Sequence, residues 1–131
     1  MIRSLAGRVC VTLLLMSAPV LAHHSAAGID RTKTQVVTGT VKEFRWTNPH
    51  SWIDLDVADD KGVTQTWSVE MTSPAFLVRA GWKSSTIKAG DKVSITLRPF
   101  RNGDQGGLFV SVTLPDGRVL GERSAAPPAQ P

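Results

Sequence analysis

The chain has 131 residues, with 15 lysines and arginines, 11 aspartates and glutamates, three histidines and one cysteine. Its length suits a single compact domain, and its charge balance gives no reason to expect nucleic acid as a partner. One cysteine excludes an internal disulfide and a zinc site built from cysteines.

The first 22 residues are typical of a secretory signal peptide. Arg3 and Arg8 give a positive start, an apolar run follows, and Val-Leu-Ala at 20–22 suits cleavage. The apolar run is shorter than the roughly 20 residues that span a bilayer, and no comparable run occurs later in the sequence. We therefore predict an exported, periplasmic protein that begins at His23 and has no transmembrane segment after processing. A retained N-terminal anchor is the alternative.

The part of the chain after the signal divides into a leader and a β-rich region. Residues 23–34 are predicted to be a flexible N-terminal segment. From about residue 35, apolar and polar residues alternate with a period of two, which predicts β-strands. In the first strand, at about 35–46, the apolar positions change parity between Val41 and Phe44, which predicts a bulge near Lys42-Glu43. Later strands have apolar positions at 53, 55 and 57, at 67 and 69, at 93, 95 and 97, and at 108, 110, 112 and 114.

One short helix is predicted between the third and fourth strands. Ser73 is placed to cap it, Pro74 suits its first turn, and Gly81 is placed to end it. Phe76 and Leu77 belong to its apolar stripe, together with the alanine at position 80.

The order of three strands, one helix and two strands is that of the OB-fold, a five-stranded Greek-key barrel. We therefore predict a mainly β fold, a small OB-fold-like five-stranded barrel with one short helix between strands 3 and 4. The barrel is predicted to occupy residues 35–120. The tail at 121–131, rich in alanine and proline, is predicted to be disordered.

Several short motifs resemble those of a family of small exported bacterial proteins of unknown function. The motifs are His-His-Ser at 23–25, Gly-x-Val at 39–41, Trp-x-Asn-Pro-His at 46–50, Trp-x-Val-Glu at 67–70, Ser-Pro at 73–74, Arg-x-Gly-Trp at 79–82 and Lys-x-Gly-Asp at 88–91. The resemblance covers roughly residues 23–120. It implies an exported, barrel-like single domain and carries over no activity.

All three histidines of the mature chain stand in two of these motifs. Cleavage before His23 would let that residue bind one metal ion through its α-amine and a ring nitrogen. His50 would add an imidazole, and such an all-nitrogen site suits Cu(II) above other first-row divalent ions. Alternatively, His24 binds the metal with the amine and the amide between them, independently of the fold. A third interpretation gives the histidine pair no role beyond a mobile leader.

The segment Thr-Asn-Pro-His-Ser-Trp at 47–52 gives a second candidate site. His50 and Trp52 share parity with Asp54, so all three are predicted on the outward face of the second strand. Ligands of OB-folds commonly bind over strands 2 and 3, which adds Ser68 and Glu70. The functional interpretation is a groove with aromatic and carboxylate groups. The structural alternative has His50 hydrogen-bonded to a turn backbone and Trp52 covering the edge of the barrel.

Glu70 and Arg79 are expected to lie close together, because the third strand ends just before the helix. Both are candidates for ligand binding, and the alternative is an ion pair that locks the helix to the barrel. Trp46, Trp67 and Trp82 are predicted in the core or at its rim, so we do not predict a stacking platform.

The motifs of common enzyme classes are missing from the sequence, including a Gly-x-Ser-x-Gly elbow, a His-Glu-x-x-His helix and a phosphate-binding loop. We therefore predict an exported binding module and not an enzyme. Copper is the candidate cofactor, held by His23, His24 and His50. The alternative is a metal-free module that binds a small ligand or another periplasmic protein through the outer face of strands 2 and 3. Neither interpretation involves nucleic acid.

Overall fold

The computed structural model describes residues 28–122, which form six β-strands and one helix. In chain order these are β1 (Gln35–Arg45), β2 (Trp52–Ala58), β3 (Thr64–Glu70), α1 (Pro74–Arg79), β4 (Lys92–Pro99), β5 (Gly106–Thr113) and β6 (Val119–Gly121). The predicted mainly β fold, with one short helix between the third and fourth strands, is confirmed.

Five of the strands close into a barrel. β1 pairs antiparallel with both β2 and β4. β2 continues to β3, and β4 continues to β5, both antiparallel. β3 then runs parallel to β5 where residues 68–70 lie beside residues 106–108, and this pairing closes the ring. The arrangement is that of an OB-fold, so the predicted five-stranded barrel is confirmed.

A bulge in β1 changes which positions of this strand face the barrel interior. Its register with β2 shifts between Val41 and Glu43, at the predicted position. Val41, before the bulge, is 1% exposed, and Phe44, after it, packs against the same core. Without the extra residue, one of these two side chains would point to solvent, since neighbouring residues of a strand alternate between faces.

The barrel interior is filled by inward-facing apolar side chains. Ile53 and Leu55 of β2, Val69 of β3, and Ile95 and Leu97 of β4 are all completely buried. They occupy alternate positions of their strands, so the predicted inward parity of these three strands is confirmed. Each such side chain contributes roughly 1.5–3 kcal/mol when it leaves water, and the alternation therefore decides which face of each strand turns inward.

β5 departs from the predicted alternation. Leu108 and Val110 were predicted to point inward, but Val110 is exposed, Leu108 is half-buried, and Phe109 between them is buried. The pairing with β4 passes from position 109 to position 111 and leaves Val110 without a partner. This second bulge turns Phe109 inward and returns positions 112 and 114 to the core. The prediction was wrong for Leu108 and Val110.

α1 packs against the barrel core through one buried side chain, that of Leu77. Ser73 occupies the N-cap position and Pro74 the first turn, as predicted, but the Ser73 side chain makes no capping hydrogen bond. Leu77 is completely buried in the core, whereas Phe76, predicted in the same stripe, is 57% exposed. Gly81, with φ of +89°, follows the end of the helix. No helix within residues 28–122 is long and apolar enough to cross a bilayer.

The chain before β1 is anchored to the barrel. Ile29 is 1% exposed and forms a β-bridge with Phe100. The Asp30 N–H donates to a carbonyl at the end of β4 at 2.9 Å. The prediction of a flexible segment over 23–34 is therefore corrected for its part from Gly28 onward, because burial of the isoleucine side chain holds this part against the barrel.

The chain after β5 is ordered farther than predicted. β6, which is not among the five predicted strands, pairs with the end of β5. The Gly121 carbonyl accepts a hydrogen bond from Trp82 Nε1 at 2.8 Å, and Glu122 Oε1 accepts one from the Thr72 N–H at 2.7 Å. Ordered structure thus passes the predicted boundary at 120, and residues 123–131 of the predicted tail lie outside the described residues.

Asp30→Asn is expected to lower stability at neutral pH but not in strong acid. Hydrogen bonds from the Thr32 hydroxyl and N–H, at 2.6 and 3.1 Å, and the nearby Lys33 ammonium lower the pKa of Asp30 from 3.8 to about 2. The resulting stabilisation is present above the unfolded-state pKa and is lost as the pH falls through the lower, folded-state pKa. Thermal midpoints of the variant and the wild type should differ near neutral pH and converge toward pH 2. A constant difference over that range would refute this linkage.

Candidate functional site

The predicted ligand face lies on the outside of the barrel, where β2 and β3 run side by side. Trp52 pairs with Glu70, and Asp54 pairs with Ser68. His50 precedes β2 and reaches the same face through its ring. We call these five residues the β2–β3 face. The structure thus brings together all five residues that were predicted on this face, namely His50, Trp52, Asp54, Ser68 and Glu70.

The imidazole of His50 is held by Glu70. Its Nδ1 atom is hydrogen-bonded to Glu70 Oε1. Because a carboxylate only accepts hydrogen bonds, Nδ1 carries a ring proton, and Nε2 keeps its lone pair when the imidazole is neutral. The His50 side chain is 44% exposed, and no residue in the described part of the chain forms a hydrogen bond with Nε2. The proposed alternative, a bond from this ring to the turn backbone, is wrong.

Glu70 is buried, although its parity in β3 places it on the outer side of the barrel. The residue is 4% exposed, and within residues 28–122 no lysine or arginine forms an ion pair with it. A carboxylate removed from water costs several kcal/mol unless hydrogen bonds or charges compensate. Carboxylates commonly orient metal-ligating histidines through the ring nitrogen that does not bind the metal, and the His50–Glu70 hydrogen bond has this arrangement.

Trp52 and Asp54 share a partner, Arg45, that the sequence analysis missed. Arg45 Nε and Nη2 each donate to one Asp54 oxygen at 3.1 Å, and the guanidinium lies 5.3 Å from the centroid of the Trp52 ring. The Ser68 hydroxyl also donates to Asp54, at 2.7 Å. The Asp54 carboxylate is therefore satisfied within the protein. The predicted bulge in β1 could have identified Arg45 as a neighbour of this face, because the bulge sets the register that places Arg45 opposite Trp52.

Arg79 interacts with a residue of its own helix and forms no ion pair with Glu70 within residues 28–122. Its guanidinium lies over the Phe76 ring, 5.6 Å from the ring centroid. No ion pair joins Arg79 to Glu70 among the residues that the structure describes. The expected Glu70–Arg79 ion pair is therefore wrong, because the carboxylate is bonded to His50 instead. The ligand-binding role of Arg79 stays a prediction.

The three tryptophans of the sequence motifs lie in or against the core. Trp82 is 1% exposed, and Trp46 and Trp67 pack against the core while partly buried. Trp82 meets the Phe109 ring edge to face at a centroid distance of 5.6 Å. Their predicted placement in the core or at its rim is confirmed.

Of the three candidate metal ligands, only His50 lies within the described residues. His23 and His24 lie outside the range 28–122. Within that range, no group of three histidine, cysteine, aspartate or glutamate side chains is arranged to hold a metal ion. The leader joins the barrel beside the β4–β5 loop, where the Gly28 carbonyl accepts a hydrogen bond from the Arg101 N–H at 2.8 Å. On the β2–β3 face, the donor available to a metal is His50 Nε2.

Comparison with known proteins identifies a family. Among solved structures, the chain is similar to Rim1, a mitochondrial single-stranded DNA binding protein from S. cerevisiae, with a TM-score of 0.46 and 10% sequence identity over 63% of this chain and 94% of that chain. No curated protein matches the chain in sequence. The family model of DUF6152, a family of unknown function, matches residues 11–110, a range that contains the whole β2–β3 face. The chain therefore belongs to this family of unknown function.

Proposed function

We propose that this protein is an exported periplasmic binding module that holds one Cu(II) ion between its mature N-terminus and His50. The α-amine and imidazole of His23 would supply two nitrogen ligands, and His50 Nε2 would supply a third. The His50–Glu70 hydrogen bond carries the proposal, because it fixes the ring through Nδ1 and leaves Nε2, on a half-exposed side chain, as the nitrogen that a metal ion would bind. The proposed role is binding without turnover.

The leader is long enough to bring His23 to His50. Backbone hydrogen bonds and strand pairing connect Gly28, across β4 and β5, to Ser68, two residues before Glu70. The path from Gly28 to Glu70 crosses three strand spacings of about 4.8 Å and follows the strands for three residues of about 3.3 Å each, about 24 Å in all. Because this path follows the curved surface of the barrel, the straight-line distance between Gly28 and Glu70 is shorter. The five residues before Gly28 extend up to about 17 Å, and the two imidazole side chains span the remainder.

Cu(II) is the ion that this set of donors favours. Among first-row divalent ions, nitrogen donors bind Cu(II) most tightly, with nickel and zinc as weaker candidates. An α-amine has an ordinary pKa of ~7.7–8.0, so its proton is lost to a metal at little cost near neutral pH. After the signal peptide, the only methionine is Met71, which is buried, and a methionine-rich Cu(I) site is therefore excluded.

The proposal predicts that Cu(II) affinity depends on a free amino group at His23. Protein that begins at His23 should bind one equivalent of Cu(II) more tightly, by about tenfold or more, than the same protein with its α-amine acetylated, although every side chain is retained. Intact mass establishes the first residue and the acetylation, and calorimetric titration against a competing chelator gives both affinities. Equal affinities for the free and the acetylated form would refute the proposal.

Two histidine variants separate the fold-dependent site from a local chelate. His50→Ala should weaken Cu(II) binding by about tenfold or more, and His24→Ala should change it little. The reverse pattern would assign the ion to His23 and His24 alone. Lys61→Ala, in an exposed turn, is the matched control. Thermal unfolding without metal verifies that each variant folds, because His50→Ala leaves the buried Glu70 without its partner.

A metal-free role on the same face is the second candidate. The observation that favours it is the position of the Arg45 guanidinium over the Trp52 ring on a partly exposed surface. Hydrogen bonds to Asp54 hold this guanidinium in place. A small ligand or another periplasmic protein would use this surface. Co-purification of a periplasmic protein that is lost in Trp52→Ala, in the absence of Cu(II) binding, would favour this function over the first.

A further inference from the structure

We infer that Arg45 is a binding residue for a carboxylate group, carried by the end of a peptide or by a small organic acid. The inference rests on the metal-free role proposed for the β2–β3 face and names the ligand chemistry of that role. It involves neither copper nor the protonation of His50. The residues that carry it lie in β1, β2 and β3.

The guanidinium of Arg45 is fixed by two neighbours. Its Nε and Nη2 atoms donate to the two carboxylate oxygens of Asp54, each at 3.1 Å, and the group lies 5.3 Å from the centroid of the Trp52 ring. The Ser68 hydroxyl donates to Asp54 at 2.7 Å and so holds this carboxylate from the other side. A guanidinium that is oriented before a ligand arrives loses little conformational freedom on binding.

Arg45 keeps unused N–H groups for a ligand. A guanidinium has five N–H groups, of which Asp54 accepts one from Nε and one from Nη2. The second N–H of Nη2 and both N–H groups of Nη1 have no acceptor within residues 28–122. Nη1 and Nη2 form the outer edge of the guanidinium, and parallel N–H groups of this kind match the two oxygens of a carboxylate. The Arg45 side chain is 38% exposed, so solvent reaches it.

The charges around Arg45 favour a ligand with a single negative charge. Asp54 already balances Arg45, and Glu43, which is exposed, lies opposite Asp54 across β1 and β2. Asp56 follows on the same side of β2. These carboxylates repel every further negative charge on a ligand, so a carboxylate is accepted more readily than phosphate or a polyanion. Recognition therefore depends on directed hydrogen bonds and not on a positive patch.

Two other arginines provide internal comparisons. Arg118 Nε donates to Asp116 at 2.8 Å, but its side chain is 68% exposed and no ring contact is found for it in the described part of the chain. Arg79 lies over the Phe76 ring, but no carboxylate between Gly28 and Glu122 forms an ion pair with it. Each of these two arginines therefore lacks one of the two supports that fix Arg45.

A titration of the isotope-labelled wild type tests the inference. The Nε–H signals of the arginines are followed by NMR, with a chelator present, as N-acetyl-glycyl-glycine or its C-terminal amide is added. The free acid should shift the Arg45 signal saturably, and the amide, which lacks the charge, should bind about tenfold more weakly or less. The Arg118 signal should shift little. Equal shifts at Arg45 and Arg118 would mean an adventitious ion effect only and would overturn the inference.

Acetate and inorganic phosphate separate the sources of the ligand. Tighter binding of the dipeptide than of acetate would identify a peptide end, and the reverse would identify a small organic acid. Tighter binding of phosphate than of either carboxylate would contradict the selection by charge and overturn the inference.

Arg45→Lys removes the paired N–H groups but keeps the positive charge. The affinity for N-acetyl-glycyl-glycine should fall about tenfold or more, because an ammonium group cannot reproduce the fork of the guanidinium. Arg118→Lys is the matched control and should leave the affinity unchanged. An unchanged affinity in Arg45→Lys would refute the inference. Thermal unfolding without ligand verifies that the variant folds, and the wild-type comparison of Arg45 with Arg118 decides the matter if it does not.

The results also separate this inference from the proposed functions. Because the titrations contain no copper, a failure of Cu(II) to bind would leave the inference standing. Absence of carboxylate binding would overturn the inference, whereas a periplasmic partner lost in Trp52→Ala would still support the metal-free role.

Discussion

Leu55→Asp is expected to leave the domain unfolded at room temperature. Leu55 lies in the middle of β2, completely buried, with Val41 and Trp67 as its neighbours across the two adjacent strands. Loss of a buried leucine side chain costs about 2–5 kcal/mol. A carboxylate forced into the same space without a partner adds several kcal/mol. Together these costs are comparable with the ~5–15 kcal/mol that stabilises a typical domain.

Thr64→Asp is the matched control for Leu55→Asp. Thr64 begins β3 and is exposed, so the same new carboxylate remains in water. Its effect on the free energy of unfolding should stay within about 0.5 kcal/mol. Circular dichroism and thermal unfolding should therefore show a folded control and an unfolded Leu55→Asp. Two variants of equal stability would mean that the odd positions of β2 do not face the barrel interior.

The sequence predicted the barrel where apolar and polar residues alternate clearly, and it failed where they do not. Val41 and Phe44 are both apolar but three positions apart, so the change of parity revealed the bulge in β1. In β5 the three consecutive residues Leu108, Phe109 and Val110 are all apolar. Parity carries no information in such a run, and the second bulge was decided by the packing of Phe109 in the core.

The candidate site was predicted to the extent that strand parity determines it. Trp52, Asp54 and Glu70 share one face because they occupy paired positions of β2 and β3. The burial of Glu70 and its bond to His50 could not be predicted in this way. They depend on the path of the connection between β1 and β2, which is set by tertiary contacts and not by a periodic pattern. Arg45 was missed because its direction follows from the bulge two residues earlier.

Barrel closure depends on a close approach of β3 and β5 at Gly106. Gly106 pairs with Ser68, is buried, and has φ of +141°, a conformation that residues with side chains rarely adopt. A Cβ atom at this position would lie 2.1 Å from the Ser68 carbonyl oxygen and 2.8 Å from Cε2 of Phe100. Because that oxygen belongs to the backbone of β3, the overlap is relieved only if the two closing strands move apart.

We therefore expect Gly106→Ala to destabilise the protein by about 2–6 kcal/mol, from backbone strain and steric overlap together. Gly103→Ala is the matched control, because Gly103 has φ of +85° in the adjacent loop but no atom within 4 Å of its Cβ position. The control should lose about 1–2 kcal/mol from strain alone. Urea unfolding measures both, and equal losses would mean that β3 and β5 do not meet at this point. Since Glu70 lies two residues beyond Ser68 on β3, a barrel that opens at Gly106 should also displace the carboxylate that holds His50.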